Sequence, residues 1–206
     1  GELGVARQLP AITSAEVEVL LGAPGPLVQR LEADGVAVSV LALPGGLGEV
    51  TREEANAMVG GRELLATARY VLRLARHLRR PRIDVLHTNT LKAALLGGVA
   101  GRLAGVPVVW HLRDRITPEY LGARSAKAVR LAAKVLPSYV VANSASTAAT
   151  LRPDRHATMV IPSPVDPSIT PVDREGRNGA LRIGMVGRLA AWKGQDLFLR
   201  AFAQAF

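Results

Sequence analysis

The chain of 206 residues contains no cysteine, which removes disulfide scaffolds and thiolate metal sites and leaves a reducing cytoplasm open to it. Aromatic residues are scarce at 4%. The three Phe, three Tyr and two Trp are dispersed, so no stacking platform for single-stranded nucleic acid forms, and no helix-turn-helix or zinc signature appears. Long apolar runs are missing too. The most apolar stretch, AALLGGVAGRLAGVPVVW, is broken by Arg102 and by Gly and Pro, short of the ~20 clean residues that a membrane span needs. The chain begins at Gly1 without a methionine and without a signal peptide, which reads as a trimmed or unrecorded N-terminus.

Acidic residues are outnumbered, 17 against 26 Lys plus Arg, for a formal net charge of +9. Such a surface attracts phosphates, acidic lipids or nucleic acid without choosing among them. His77, His87, His111 and His156 are scattered without the short spacing of a helical metal pair, so no metal site is expected. A plain dinucleotide-binding dehydrogenase needs G-x-G-x-x-G directly after a strand. Neither GGLG at 45–48 nor GGVAG at 97–101 supplies it.

What is present is an interior of Leu, Val, Ile and Ala, at 49% hydrophobic residues overall, as in parallel sheets covered by helices. Short β-branched runs recur: VEVLLG (17–22), VAVSVLAL (36–43), IDVLH (83–87), VPVVWH (106–111), YVVAN (139–143) and ATMVIP (157–162). Segments of helical period separate them. That alternation predicts an α/β, Rossmann-like doubly wound parallel sheet with right-handed crossovers. A helix is expected from about Glu53 to Arg80, with Leu64, Leu65, Ala68, Val71, Leu72, Ala75 and Leu78 as its apolar face and Arg62, Arg69, Arg73, Arg76 and Arg80 opposite. Pro81 stops it. A second helix, Leu91 to Ala104, ends at a left-handed Gly105 cap. A third, near Gly122 to Leu136, stacks Arg124, Lys127, Arg130 and Lys134 on one side.

Residues 164–180 lose apolar period and read as a linker between an N-terminal domain, 1–163, and the start of a second domain, 181–206. In that second part LRIGMVGRL is expected to be a strand and Lys193 to Phe206 a helix. One strand and one helix cannot bury themselves, so the tail reads as the first βα unit of a second Rossmann-like domain.

Ligands of doubly wound sheets gather where strands end and helices begin, because helix N-termini present unpaired N–H groups there. Polar residues collect at those places: His87, Thr88, Asn89 and Thr90; His111 to Asp114; Asn143 and Ser144; Ser163; and Gly187 with Arg188. Gly187 allows a tight turn and close approach of a ligand. Arg188 grips two phosphate oxygens and Lys193 adds a mobile charge, so a diphosphate suits the stretch VGRLAAWKGQD. Spacing alone fits two ordinary surface cations equally well.

The run GMVGRLAAWKGQDLFLRAF resembles the start of the C-terminal domain of family-four glycosyltransferases of GT-B fold. Their pattern is a strand, Gly-Arg-Leu, Lys-Gly, then a helix. IDVLHTNTLKAALLGGVAGRLAGVPVVWHLRD, VVANSASTAATL and VIPSPVD resemble successive N-terminal blocks of that family, in the same order. The resemblance covers roughly residues 16–206. It implies a retaining, metal-independent transfer of a sugar from a nucleotide-diphosphate donor to an acceptor hydroxyl, with no cofactor beyond the nucleotide-sugar substrate.

In that reading Gly187, Arg188 and Lys193 hold the donor diphosphate and His111 lies beside the donor sugar as the catalytic residue. His87, Thr88, Asn89, Lys92, Arg113, Asp114, Asn143 and Ser144 face the acceptor side. No Asp-x-Asp, the metal-holding signature of the other large glycosyltransferase fold, occurs. Ser163-Pro164-Val165-Asp166 stands where the family carries Asn-Gly-x-Asp, replacing a flexible turn by a stiff one. Gly1-Glu2 matches a remnant of the family's Gly-Gly-x-Glu loop. The family's paired glutamates fall beyond Phe206, so turnover by the chain alone is not expected.

The implied setting is carbohydrate biosynthesis for the cell envelope, in the cytoplasm or at the inner face of the membrane, with the acceptor lipid-linked or free. Other GT-B enzymes, such as sugar-nucleotide epimerases, share the architecture, and a basic nucleic-acid-binding module is the reading that charge alone offers. The Arg69, Arg73, Arg76, Arg80 and Arg82 row and the 124–134 stripe read first as solvated faces and second as peripheral contacts with an anionic membrane.

Overall fold

The structure, a computed structural model, describes residues 9, 12–44, 61–81, 83–151, 158–163, 183–187, 189 and 193–205. It divides into two compact units, Gly1–Asp166 and Pro167–Phe206. That division falls inside the expected linker.

In the first unit β1 (Glu18–Leu21) and β2 (Ala37–Val40) pair in parallel, Glu18 beside Ala37 and Leu21 beside Val40. Between them runs α1 (Pro26–Ala33), with Pro26 in its first turn, where a missing N–H costs nothing. There follow α2 (Gly61–Leu78), β3 (Leu86–Thr88), α3 (Leu91–Ala104), β4 (Val108–Leu112), α4 (Pro118–Leu121), α5 (Ala123–Ala133), β5 (Tyr139–Ala142), α6 (Ala145–Leu151) and β6 (Thr158–Val160). Strands β3, β4, β5 and β6 form a second sheet in that order, parallel throughout. The doubly wound reading therefore holds as parallel α/β, but as two ladders rather than one among the described residues. Leu20 of β1, Leu41 just past β2 and Leu86 of β3 pack on the same cluster, that of Tyr70, Val71, Leu74, Ala75 and Leu78.

Strand β4 is the axis of the core. Val108, Trp110 and Leu112 alternate inward and are almost wholly buried, with Val140, Ala126, Val129 and Leu151 around them. Helix α3 approaches this strand closely because it lacks side chains there: a Cβ on Gly101 would sit 2.2 Å from Val108 Cγ2, and one on Gly98 2.9 Å from Leu136 Cβ. Thr90 caps the N-terminus of α3 by accepting from the Ala93 N–H at 3.1 Å, and Gly105 ends it with φ 76°. Both boundaries were readable in the sequence.

Several expectations are corrected. The face that α2 buries is Tyr70, Val71, Leu74, Ala75 and Leu78, whereas Leu64, Leu65, Ala68 and Leu72 stay exposed. The apolar residues spread over more than half of the helix circumference: Leu65, Ala68 and Leu72 lie beside the sector that meets α3 and the first sheet, while Leu64 lies within that sector but in the first turn, where it stays exposed. Arg130 does not belong to a solvent stripe with Arg124, Lys127 and Lys134. It is half-buried, and its Nε and Nη2 donate to the carbonyls of Thr150 at 2.9 Å and Ile116 at 2.6 Å.

In the second unit α7 (Gln195–Ala205) forms as expected. Residues 183–187 do not form the predicted strand: a ladder needs a neighbouring strand to receive its N–H and C=O groups, and none lies among the described residues of that unit.

Candidate functional site

Alternation along β4 sets the site. With Trp110 and Leu112 committed to the core, His111 projects to the opposite face. His87 pairs with Val109 in the neighbouring strand, which places it on the same face as His111. The two imidazoles meet there with ring centroids 5.3 Å apart and planes inclined by 31°. Thr88 points the other way. It is 3% exposed and its hydroxyl donates to the Val109 carbonyl at 3.1 Å, so it supports the strand pairing instead of facing the site with its neighbours.

Arg113, just past β4, ties together the loops at the carboxyl end of the sheet. Its Nε donates to Asn89 Oδ1 at 2.8 Å and its Nη1 to Ser163 Oγ at 3.3 Å, while Asn143 Nδ2 donates to the Arg113 carbonyl at 3.1 Å. Segments that follow β3, β4, β5 and β6 are thus held by one residue and its backbone. Ser163, read in the sequence as a polar strand-end residue and as the start of Ser163-Pro164-Val165-Asp166, joins the cluster. Asn89, His111 and Arg113, with Thr90, Leu91, Leu112, Asp114 and Ile116, line a small depression at the start of α3.

Two acceptor-capable atoms here are buried without a hydrogen-bond partner in the structure, His111 Nε2 and Asn143 Oδ1. Desolvation, then the Arg113 charge, then that of His87, push the His111 pKa down from 6.5 to about 4. His87 keeps solvent contact, yet the protein packed around its ring and the Arg113 guanidinium lower its pKa as well. Around neutral pH His111 is therefore a neutral imidazole, with one nitrogen to donate and one to accept.

The remaining acceptor-side residues are placed differently from one another. Asp114 is exposed and accepts from the Tyr120 hydroxyl at 2.5 Å, a partner that sequence spacing did not reveal. Ser144 Oγ accepts from the Thr147 N–H at 3.1 Å, so it caps α6. Lys92 lies in the first turn of α3, half-buried and with a partner of its own.

In the second unit Arg188 lies outside the described residues. Lys193 is exposed immediately before α7. At Gly187 φ is not positive, and an added Cβ would make only an ordinary contact at 3.6 Å with Gln195 Nε2. The positive φ, 72°, falls instead at Gly194, whose carbonyl accepts the first α7 bond, from the Phe198 N–H at 2.9 Å. The Lys-Gly pair thus has a backbone reason: only glycine enters this helix from that conformation without strain. Among the described residues no group of three His, Asp or Glu is arranged to hold a metal ion.

Comparison with known proteins bears on the fold and the family. Crystal structures of the Anabaena protein HepE match the chain. The complex with UDP and glucose superposes with a TM-score of 0.74 at 24% identity over 98% of this chain and 54% of that one. The complex with UDP-glucose gives 0.62 at 23% identity over 80% of this chain and 40% of that one. The chain thus spans about half the length of that HepE chain. No curated protein sequence matches at a significant level. The profile of Glycosyltransferase Family 4 matches residues 26–169, which include every strand of the two sheets except β1 and all of the His87, His111 and Arg113 cluster, and the chain belongs to that family.

Proposed function

We propose that the protein transfers a glycosyl group from a nucleotide-diphosphate sugar to an acceptor hydroxyl with retention of anomeric configuration, without a metal ion. The observation that carries this is the neutral, half-buried His111 at the carboxyl end of a parallel sheet in a family-four chain, with its Nε2 buried and unpartnered. A sugar hydroxyl supplies what that nitrogen lacks. The UDP and glucose bound by HepE favour a uridine nucleotide as the first donor to test.

In this reading the bond between the anomeric carbon and the phosphate oxygen breaks, and the oxygen keeps the electron pair. Arg188, Lys193 and the backbone amides near Gly187 stabilise the negative charge that develops on the diphosphate. The acceptor oxygen forms the new bond on the face the phosphate leaves, and its proton passes to the departing phosphate oxygen. His111 holds and orients the donor sugar. Asn89, Arg113 and Asn143 shape the acceptor side, and Arg113 does so chiefly by holding the loops. Thr88 and Ser144 are engaged with backbone and take no direct part. The protein acts in the cytoplasm, in carbohydrate biosynthesis.

Calorimetry with a panel of nucleotide sugars on the protein at its natural length tests the donor site. Arg188→Ala and Lys193→Ala are each expected to weaken donor binding by roughly tenfold or more, the size of a charge-assisted phosphate contact. A donor that binds equally well to both variants shows the diphosphate assignment to be wrong. Nucleic-acid binding, by contrast, weakens steeply with salt and tolerates loss of Arg188. Activity that survives chelation, with a product whose anomeric coupling matches the donor, is the expected outcome for the chemistry.

A further inference from the structure

Buried polar atoms in folded proteins find hydrogen-bond partners, so one that lacks a partner calls for a reason. Among the described residues three such side-chain atoms occur: Trp110 Nε1, His111 Nε2 and Asn143 Oδ1. Trp110 belongs to the core. The other two share one face at the carboxyl end of the second sheet. Strand β5 buries Val140 and Ala142 and turns Tyr139 and Val141 the other way. The Asn143 N–H donates to the Leu112 carbonyl at 3.1 Å and carries the ladder one residue further, so Asn143 falls on the same face as Val141. Val141 is the register partner of His111. Asn143 therefore lies one strand over and two residues on, which puts the two α-carbons about 8 Å apart. Its amide is oriented as well: Nδ2 donates to the Arg113 carbonyl at 3.1 Å, and turning the group over would set two oxygens against each other.

We propose that Asn143 Oδ1 accepts a hydrogen bond from a hydroxyl of the acceptor substrate other than the one that reacts, so that this substrate is a polyol, a sugar or cyclitol, and not a simple alcohol. The inference rests on the sugar transfer proposed above. In that reaction the proton of the attacking hydroxyl passes to the departing phosphate oxygen, so the same hydroxyl cannot also donate it to Asn143. A neutral amide oxygen takes up no proton of its own near neutral pH and only holds a donor in place. His111 Nε2 is engaged by the donor sugar in the same reading, and the ~8 Å between the two residues leaves room for donor sugar and acceptor substrate side by side. A second hydroxyl on the acceptor substrate is what remains to satisfy Oδ1. An alkyl chain in its place leaves that oxygen buried and unpaired, which turns simple alcohols away.

The test uses the protein at its natural length with UDP-glucose, or the nucleotide sugar that the calorimetric panel selects, and offers methyl α-glucoside, methyl α-mannoside and myo-inositol against butan-1-ol as acceptor substrates. Transfer to at least one polyol is expected, with butanol the poorer substrate. Asn143→Ala is expected to raise the KM for that polyol roughly three- to tenfold, the worth of one hydrogen bond, and to leave the KM for the donor unchanged. A general loosening of the loop would move both. Because Asn143→Ala also gives up its bond to the Arg113 carbonyl, the contact is deleted from the other side too. Among monodeoxy forms of the polyol, one that keeps the reacting hydroxyl is expected to lose a similar factor with the unsubstituted protein and nothing more with Asn143→Ala. The inference is overturned if butanol serves as well as the polyols, if none of the polyols is used, if Asn143→Ala leaves the polyol KM unchanged or weakens the donor, or if the deoxy loss persists in that variant. Those results, obtained with a donor that binds, leave the sugar-transfer reading standing; a protein that binds no nucleotide sugar overturns both.

Discussion

His111 is where burial and charge act most directly on one side chain. The unfolded chain takes up the imidazole proton near pH 6.5 and the folded protein only near 4. Between those values the unfolded state binds more protons, so stability rises with pH. Stability is thus whole above about 6.5 and is lost progressively as pH falls toward about 4, by about 1–2 kcal/mol once solvent screening of a half-buried ring is allowed for. Urea denaturation at neutral pH and near the lower limit is expected to show that loss, and His111→Gln to shrink it; equal losses in both proteins put the cause elsewhere. Thr150 offers a second residue-level test. Its hydroxyl accepts from the buried Ile116 N–H at 2.9 Å and donates to the Thr147 carbonyl at 2.7 Å. Thr150→Val keeps the shape but strands that amide, and a cost of about 1–3 kcal/mol is expected in denaturant melts. None of this was visible in the sequence, where Thr150 is one of several hydroxyl residues in a short helix.

At the scale of elements, the contact of α3 with β4 depends on what α3 lacks. In Gly101→Ala the new methyl meets Val108 Cγ2 at 2.2 Å and the Val106 carbonyl oxygen at 3.0 Å, while the Val106 N–H already donates to the Gly101 carbonyl at 3.0 Å. The turn cannot retreat without breaking that bond. A loss of about 1–3 kcal/mol is expected by thermal or chemical unfolding, with partial recovery in Gly101→Ala/Val108→Ala; a second substitution that merely adds its own loss argues against the clash. The start and end of α3 were legible, since Thr90 and Gly105 cap through local chemistry. The buried sector of α2 was not, because its apolar residues spread over more than half of the helix circumference and the position of α3 decides which part is covered. For the same reason LRIGMVGRL has strand composition but forms no ladder among the described residues.

Over the whole first unit, Trp110 is the largest fully buried side chain and stands at the centre of the main cluster. Trp110→Ala removes more packing than any neighbour can refill, and a loss of about 3–5 kcal/mol is expected in the denaturation midpoint. A loss under ~1 kcal/mol would place the core elsewhere. Local order along the chain determined the kind of architecture, the runs of strand and helix, the caps of α3 and the gathering of polar residues at strand ends, because period and capping act over a few neighbouring residues. The grouping of those polar residues came only with tertiary structure. His87 and His111 share a face while Thr88 is turned away because strand register and alternation set side-chain direction. Arg113 is drawn into a hub, and Arg130 out of a surface stripe, because their partners lie on segments distant in sequence that only packing brings within reach.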